Sequence, residues 1–572
     1  MKSGFYYLIF CYRPVRQPTS RRIISYFCQN RGIMLRSIRL SIILLIIGIG
    51  AHAQGIERPK LVVGIVIDQM RWDYLYRYYE RYASNGGFKR LLNGGFSCEN
   101  TFIPYIPTVT ACGHSSIYTG SVPAISGITG NFWWDRDLMR TVYCTEDATV
   151  QTVGSSSTLG RMSPRNLLVT TICDELRLAT NFRSKVVGIA IKDRGGILPA
   201  GHSANAAYWY DNTTGDWITS TFYMKDLPKW VNDFNKNKWV DKYYRQGWDL
   251  MYDVNTYTQS TADDKKYKGK PLGDKFPYDL TPFIGKNYGT LPVTPFGNTL
   301  TAEFAKAAIA GEKLGDDNNT DFLAISFSSP DYVGHTFGPN SVEQEDCFLR
   351  LDKELGSLLD YLDAKVGKDQ YTVFLSADHG VAEVPEFMQE NKIPAGRVFL
   401  ATTTSNLNKS LKEKYNLDGI IVSNENYQLH LNHPRLDSAK VNKTELIEWI
   451  VNKLSSEPGI ARCFSLRDLN NVPLPARLRD MINNGYFPRR NGDIQLILYP
   501  QFIDAYSNTG TTHGLWNPYD SHIPLLWYGW GIKKGKTNRE TYMTDIAPTI
   551  AALLHIQMPG GCVGKVIEEV KK

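Results

Sequence analysis

At 572 residues the chain is long enough to bury a large core, and with 42% hydrophobic and 21% charged residues it has a globular composition. The formal net charge of +7 comes from the N-terminus, because residues 1–53 hold eight Lys or Arg and no Asp or Glu, so the rest carries 7 − 8 = −1. The basic balance is therefore no sign of nucleic-acid binding, and we expect no nucleic-acid partner.

The N-terminus has the pattern of a secretory signal peptide. A basic stretch begins at Met34, an apolar run follows it, and residues 51–53 (Ala-His-Ala) have the form of a cleavage site. We predict a signal peptide over residues 34–53 and interpret residues 1–33 as an extension from a mis-called start. No later segment has the roughly 20 apolar residues of a membrane helix. The mature chain, residues 54–572, is expected to be a periplasmic or secreted monomer that does not bind a membrane.

Seven cysteines follow residue 53, so at least one of them is unpaired. Their spacing matches neither a metal-binding pattern nor a dense disulfide scaffold. An exported chain permits a bridge such as Cys98 to Cys144, but the sequence assigns no pairs.

The first strong structural pattern is the apolar, β-branched run LVVGIVI at residues 61–67, which ends at Asp68. Such a run predicts a buried parallel strand.

A second stretch, PTVTACGHSSIYTG at residues 107–120, passes from a Pro-rich run into a predicted helix, with Thr110 at the junction. A helix N-terminus has unpaired N–H groups and the positive end of the helix dipole, so it favours an oxyanion or a phosphate. We predict that Thr110 is a nucleophile. The plainer alternative makes Thr110 an N-cap and Gly113 a turn residue.

Another strand-like segment, VVGIAIKDRGG at residues 186–196, leads to Lys192 and Arg194. Their side chains would share one face if the backbone stays extended. Residues at about 203–295 are rich in Asn, Lys, Tyr and Trp and are predicted to form an insertion beside the site. We favour a packed accessory subdomain over a substrate-binding role for this insertion, because aromatic clusters more often form cores.

Two later strand patterns, DFLAISF and YTVFLS, lead to Asp331 and to Asp378 and His379. Between them, Ser341 and Gln344 suggest a capping box for a helix with one apolar face, formed by Phe348, Leu351, Leu355, Leu358 and Leu362. The order strand, helix, strand predicts an α/β fold with a central, mostly parallel sheet flanked by helices. Ligands of such sheets lie beyond the carboxyl ends of the strands.

Residues at about 385–505 mix helix and strand signals and are predicted to form a second insertion. After it the chain returns with the sequence THG, which contains His513. We therefore interpret residues 54–572 as one catalytic domain with two inserted accessory or cap segments.

Carboxylates and imidazoles at these strand ends and in the following loops form a candidate metal site, namely Asp68, Asp331, His335, Asp378, His379 and His513. Zinc binds nitrogen and oxygen ligands in near-tetrahedral sites, and six such ligands suit two zinc ions. Asp331 and His335 can reach one ion together from a helical turn. The adjacent Asp378 and His379 can do so only from irregular backbone, since neighbours on a strand face opposite ways.

Two metal ions roughly 4 Å apart can activate a hydroxyl on one side of a phosphorus and stabilise the leaving oxygen on the other. Thr110 could then attack as an alkoxide. Lys192, Arg194 and Asn131 would hold the nonbridging oxygens with two cations and one neutral donor. This set suits a dianionic phosphoryl group.

These motifs together resemble those of the alkaline phosphatase superfamily, most closely its secreted, single-chain PafA type, from about residue 62 to the end. The resemblance rests on SPDYVGH, SADHG and THG in this order, on Thr110 in TVTACGH, on Asn131 in ITGNFWW and on the Lys192-Asp193-Arg194 triplet. It implies an alkaline-phosphatase-like fold and a threonine nucleophile.

The resemblance also divides the ligands between two zinc ions. It implies that Asp331, His335 and His513 bind one ion, and that the other is bound by three residues together with the Thr110 oxygen: Asp68, Asp378 and His379. The resemblance further implies that the lysine stands where better-known alkaline phosphatases hold magnesium, so no Mg²⁺ site is expected.

Other residues near these motifs are interpreted as structural. His522 is predicted to be structural or to support the ligands from outside, and His114 and His202 are predicted to be ordinary structural histidines. Cys112 lacks the Cys-x-Pro-x-Arg context of sulfatases.

The sequence therefore predicts an exported, zinc-dependent hydrolase of small phosphate monoesters that acts through a phosphothreonine at Thr110. A nucleotide phosphodiesterase or pyrophosphatase of the same superfamily is the alternative, and Lys192 and Arg194 argue against it. A noncatalytic protein that binds glycans or surfaces through the Trp-rich segment is a further alternative.

Overall fold

The computed structural model describes residues 56–572, which include a compact unit, Arg58–Lys572. The predicted signal peptide and the upstream extension lie outside the described residues. Within the described part of the chain, no helix combines the length and the apolar character needed to cross a membrane.

A ten-stranded sheet forms the centre of this unit. Its five inner strands run parallel, and antiparallel pairs extend the sheet on both sides. In spatial order the strands are Gly535–Thr537, Phe96–Cys98, Leu525–Gly529, Tyr371–Ser376, Leu61–Ile67, Asp321–Phe327, Val186–Ala190, Ala206–Asp211, Asp216–Ser220 and Thr152–Val153. The predicted α/β class is confirmed.

The inner strands are apolar because helices cover both faces of the sheet. All side chains of Leu61–Ile67 and of Asp321–Phe327 are buried. The described α-helices are Tyr74–Arg77, Gly87–Gly94, Thr110–Thr119, Pro123–Ser126, Ile172–Ala179, Asp193–Ala200, Lys229–Lys236, Trp239–Gln246, Phe296–Glu312, Ser329–Phe337, Val342–Leu362, Pro385–Glu390, Leu400–Tyr415, His433–Ser438, Lys443–Leu454, Ala476–Gly485, Pro518–Ser521 and Ile546–Leu554.

The long helix Val342–Leu362 begins where its sequence predicts, and its predicted apolar face is buried. The Ser341 side chain caps it by accepting a hydrogen bond from the Gln344 backbone N–H. The predicted capping box is only half formed, because the Gln344 side chain donates instead to the Pro330 carbonyl. Gln344 therefore ties this helix to the preceding one, Ser329–Phe337.

The Trp-rich segment at 203–295 begins inside the central sheet, to which it contributes two strands. Trp209, Trp217 and Trp248 are buried in the main core. These three tryptophans therefore pack in the core of the central sheet, and the accessory subdomain without a substrate role stays a prediction.

Residues at 385–505 form a second layer of structure with its own hydrophobic core. Four strands make its sheet, in the order Ile421–Ser423, Gln428–Leu431, Ile494–Leu498 and Ile460–Ser465. The remaining small sheets pair Gly396–Val398 with Phe502–Asp504, Phe132–Asp135 with Arg140–Tyr143, and Thr101–Phe102 with His522–Ile523 and Thr541–Tyr542. The division into a catalytic domain with two insertions stays a prediction.

The bridge between Cys98 and Cys144 that the sequence permits is not formed. All seven cysteines in the described part of the chain are free, and six of them are buried.

Candidate active site

Four neighbouring parallel strands deliver side chains to one end of the sheet. Asp68 follows Leu61–Ile67, and Lys192 follows Val186–Ala190. Asp331 lies in the helix Ser329–Phe337, which starts just after its strand, whereas Asp378 and His379 lie in irregular backbone after theirs. The carboxyl ends of parallel strands meet at one edge, so these groups converge.

Asp331, His335 and His513 form the first candidate metal group, with ligand atoms within 4.8 Å of one another. The Asp331 Oδ1 atom lies 3.2 Å from His335 Nε2 and 3.6 Å from His513 Nε2. Asp331 and His335 share one face of a single helix because they are one turn apart.

The second candidate metal group consists of Asp68, Asp378 and His379, whose ligand atoms also lie within 4.8 Å of one another. All three residues are buried. His379 Nε2 lies 3.5 Å from an oxygen of each carboxylate. The two groups are neighbours, since the rings of His379 and His513 stack with centroids 3.5 Å apart.

Each of the three imidazoles directs one nitrogen away from the carboxylates. Their Nδ1 atoms lie 2.7 to 3.0 Å from backbone carbonyl oxygens, those of Thr511, Gly380 and Thr108 for His335, His379 and His513 respectively. A carbonyl only accepts, so Nδ1 carries the proton and Nε2 offers its lone pair to the group. This is the orientation of histidines that bind metal ions.

The charge balance of the site requires cations. Among the described residues, three buried carboxylates surround one ammonium, that of Lys192, so the group carries excess negative charge when all three are ionised. Oδ1 of Asp68 and Oδ2 of Asp378 are buried and accept no hydrogen bond from the described residues. Such atoms are costly unless a cation satisfies them, so the donor set fits bound metal ions.

The protonation of these groups follows from their burial. Burial raises the pKa of Asp68 well above its usual value, and the charges of Asp331 and Asp378 add to the effect. Burial also lowers the pKa of His379 to about 3, which keeps this imidazole neutral. For Asp331 burial is outweighed above all by the charge of Lys192, and its pKa lies well below the usual value.

Thr110 is the first residue of the helix Thr110–Thr119, and its Oγ1 lies 3.4 Å from His379 Nε2. Val109 is the N-cap, so the alternative role of Thr110 as an N-cap is wrong. The amide oxygen of Asn131 accepts a hydrogen bond from the Ala111 backbone N–H at 2.9 Å. Asn131 therefore lies at this helix N-terminus and keeps its amide N–H groups as donors.

The Lys192 ammonium lies between the two candidate metal groups, 2.7 Å from Asp68 Oδ2 and 2.5 Å from Asp331 Oδ2. The prediction that Lys192 and Arg194 share a strand face is wrong, because the strand ends at Ala190 and a helix begins at Asp193. Both side chains nevertheless line one cavity of about 370 Å³. A turn of the chain, rather than strand alternation, brings them together.

The structure adds two residues that the sequence interpretation missed. The Gln69 backbone N–H donates to Asp378, and its side-chain amide donates to Asp331 at 2.8 Å. His114 Nδ1 lies 3.2 Å from Asp378 Oδ2, and its Nε2 lies 2.8 Å from Ser326 Oγ. The position of Gln69 directly after Asp68, and of His114 one helical turn after Thr110, is the only local signal for either.

His522 and His202 lie apart from both groups. His522 stacks between Trp72 and Phe102, with ring centroids 4.7 Å from each. His202 contacts Asp174 and the Leu167 carbonyl. Their interpretation as structural residues agrees with these contacts.

Comparison with known proteins identifies relatives along most of the chain. The family model for type I phosphodiesterase / nucleotide pyrophosphatase matches residues 62–520. Alkaline phosphatase PhoV of Synechococcus elongatus is 54% identical over 91% of this chain and 94% of its own. A protein of Myroides odoratus named calcium-transporting ATPase is 53% identical over 90% of this chain and 95% of its own. Alkaline phosphatase PafA of Elizabethkingia meningoseptica is 50% identical over 90% of this chain and 95% of its own.

The fold is similar to a solved structure as well. The crystal structure of wild-type alkaline phosphatase PafA superimposes with a TM-score of 0.89 at 49% identity. The match covers 91% of this chain and 100% of that one. The similarity therefore extends over most of the chain.

Gly113 allows the helix Thr110–Thr119 to approach the second metal group, so the sequence interpretation of Gly113 as a turn residue is wrong. A Cβ at this position would lie 2.3 Å from the Asp378 carbonyl oxygen. We expect Gly113→Ala to displace Asp378, to lower the bound metal content and to reduce turnover about 10- to 100-fold. Metal analysis and steady-state rates measure both effects.

Gly560→Ala is the matched control, since its Cβ would meet only ordinary contact at 3.5 Å. Circular dichroism would establish that both variants fold. A folded Gly113→Ala protein with the metal content and rate of the wild type would contradict the expectation.

Proposed function

We propose that this member of the type I phosphodiesterase / nucleotide pyrophosphatase family uses two zinc ions and has Thr110 as its nucleophile. Within that family, the chain is a phosphate monoester hydrolase of the alkaline phosphatase type. The observation that carries the proposal is the convergence of three kinds of group at one end of the sheet. These are two candidate metal groups, a threonine hydroxyl at a helix N-terminus and a pair of cations.

The proposed reaction has two displacements at phosphorus. The Thr110 oxygen forms a bond to phosphorus while the bond from phosphorus to the ester oxygen breaks, and the alcohol leaves with a proton. Water then attacks the phosphothreonine, which releases inorganic phosphate and returns the proton to Thr110. Two inversions give overall retention at phosphorus.

We propose that the metal ligands divide as the two groups do. Asp331, His335 and His513 would hold one zinc ion, and the second would be held by Asp68, Asp378 and His379 together with the Thr110 oxygen. Zinc matches this donor set because imidazole nitrogens favour it over magnesium. When bound, the ions supply Lewis acidity that favours ionisation of the Thr110 hydroxyl. Lys192 supplies the cation between the groups, which supports the absence of a magnesium site.

Asn131, Lys192 and Arg194 are proposed to bind the phosphoryl oxygens. Their two positive charges and one neutral donor suit a dianion. A solved variant of PafA carries substitutions at one Thr, one Asn, one Lys and one Arg, in the same order along the chain as Thr110, Asn131, Lys192 and Arg194, which supports these four roles. Small phosphate monoesters are therefore the proposed substrates, and ATP, with its dianionic terminal phosphoryl group, belongs among the substrates to be tested.

Export is proposed from the signal pattern of residues 34–53, with a monomer in the periplasm or outside the cell. The similarity to alkaline phosphatases supports an extracytoplasmic role. The same similarity argues against a noncatalytic protein that binds glycans or surfaces, because the candidate site has two metal groups, a threonine hydroxyl and a pair of cations.

Metal removal should abolish turnover. Chelation leaves the buried carboxylates without their cations, and we expect zinc to restore the rate better than magnesium because of the three imidazoles. Rates for an aryl phosphate would be measured alongside metal content, with two zinc ions per chain expected at full activity. Full turnover by a verified metal-free sample would refute the metal site.

Thr110→Ala should stop formation of the phosphoenzyme while inorganic phosphate still binds, because the other anion-binding groups remain. Mass spectrometry of acid-quenched protein would detect the phosphothreonine, and calorimetry the phosphate. Thr119→Ala is the matched control, since Thr119 is a buried threonine at the other end of the same helix. Undiminished turnover by Thr110→Ala would exclude Thr110 as the nucleophile.

Lys192→Ala/Arg194→Ala should reduce monoester hydrolysis far more than diester hydrolysis, because a diester has one oxygen blocked and one charge less. Hydrogen bonds to charged groups are worth about 1.5 to 3 kcal/mol each, so kcat/KM for an aryl monoester should fall at least about 100-fold. Matched aryl mono- and diesters would be compared, with zinc content checked. The double variant Lys242→Ala/Arg245→Ala removes the same charges from exposed positions as a control. Equal losses on both esters would favour the phosphodiesterase alternative.

A further inference from the structure

Among the described residues, Arg194 is linked to a carboxylate through the hydroxyl group of Tyr143. Its Nη1 donates to the Tyr143 hydroxyl at 3.0 Å, and that hydroxyl donates to Asp193 Oδ1 at 2.6 Å. A carboxylate cannot donate and a guanidinium cannot accept, so the direction of both hydrogen bonds is fixed. The position of the Arg194 guanidinium therefore depends on the Tyr143 hydroxyl, whose own position depends on the Asp193 carboxylate.

The carboxylate of Asp193 is itself held in place. Thr145 donates a short hydrogen bond to Asp193 Oδ2, the second oxygen. Asp193 is also the first residue of the helix Asp193–Ala200, where a negative charge is favourable. The Asp193 carboxylate is thus fixed by contacts that do not involve Arg194.

This arrangement leaves the guanidinium free to bind an anion. In the described part of the chain Arg194 forms no ion pair, and its Nε is a buried donor without a partner. A carboxylate in direct bidentate contact would occupy the donors that a phosphoryl group needs. A phenol uses one donor and leaves the others.

The segment that carries Tyr143 also carries another predicted phosphoryl ligand. Strands Phe132–Asp135 and Arg140–Tyr143 form a hairpin that begins right after Asn131. The hairpin closes with a hydrogen bond from the Cys144 backbone N–H to the Asn131 carbonyl at 3.0 Å. Asn131 and Arg194 are therefore held relative to each other by one hairpin.

We propose that Tyr143, anchored by Asp193, is a positioning residue that aims Arg194 at the phosphoryl group and so contributes to the preference for monoesters over diesters. The inference rests on the proposed role of Arg194 in binding the substrate. Tyr143 acts through Arg194 and does not itself contact the reacting atoms.

Tyr143→Phe is the direct test, because it removes one hydroxyl and keeps the ring. We expect kcat/KM for an aryl monoester to fall about tenfold or more, as for the loss of a hydrogen bond to a charged group, and that for the matched diester to change little. In an Arg194→Ala background the same substitution should have no further effect, since residues that act as a unit are not additive.

Two further variants sharpen the result. Tyr210→Phe is the matched control, since Tyr210 lines the same cavity but donates its hydroxyl to the Tyr288 carbonyl. Asp193→Asn keeps an oxygen that accepts from Tyr143 and should retain most of the selectivity, whereas Asp193→Ala should lose it as Tyr143→Phe does.

The outcomes separate the inference from the function on which it rests. If Arg194→Ala lowers monoester turnover but Tyr143→Phe behaves like Tyr210→Phe, the inference alone is overturned. Additive losses in the double variant, or equal losses on both esters, overturn it too. If Arg194→Ala has no effect on monoester turnover, the proposed substrate contact fails together with the inference.

Discussion

The accumulation of negative charge at one end of the sheet is the constraint on which the site depends. Asp68, Asp331 and Asp378 are almost fully inaccessible to water, and the Lys192 ammonium contacts two of them. Buried like charges repel strongly and are costly to desolvate, so a chain keeps them only where cations compensate them. The apolar strands supply rigidity, and bound cations would offset the charge repulsion at the ends of these strands.

The scaffold meets this constraint with contacts made over long distances in the chain. Backbone carbonyls fix the tautomers of the three histidines, and Gln69 links the two candidate metal groups by donating to a carboxylate of each. Gly113 lets a helix pack directly against Asp378. These contacts hold the side chains of both candidate metal groups in place, which would lower the cost of ordering them around bound ions.

The sequence predicts most of the fold and the convergence of the ligands, and it fails where partners are distant. Leu61–Ile67 and Asp321–Phe327 are recognisable because buried parallel strands are continuous β-branched runs that end at polar residues. Gln69 could not be recognised, because the carboxylate that its backbone contacts lies 309 residues further along the chain. The sequence pattern predicts a strand that extends to Arg194 because Ile191 and Lys192 continue the apolar, extended pattern, and only Asp193 at the helix start hints at the turn.

The order in which the ligands appear along the chain has a consequence for biosynthesis. A ribosome completes the group of Asp68, Asp378 and His379 once residue 379 is made, but His513 emerges only after the separate sheet that includes Ile494–Leu498. Nascent chains, and fragments cut within that second layer, therefore lack one imidazole of the other group. Truncated products would retain the residues of only one candidate metal group.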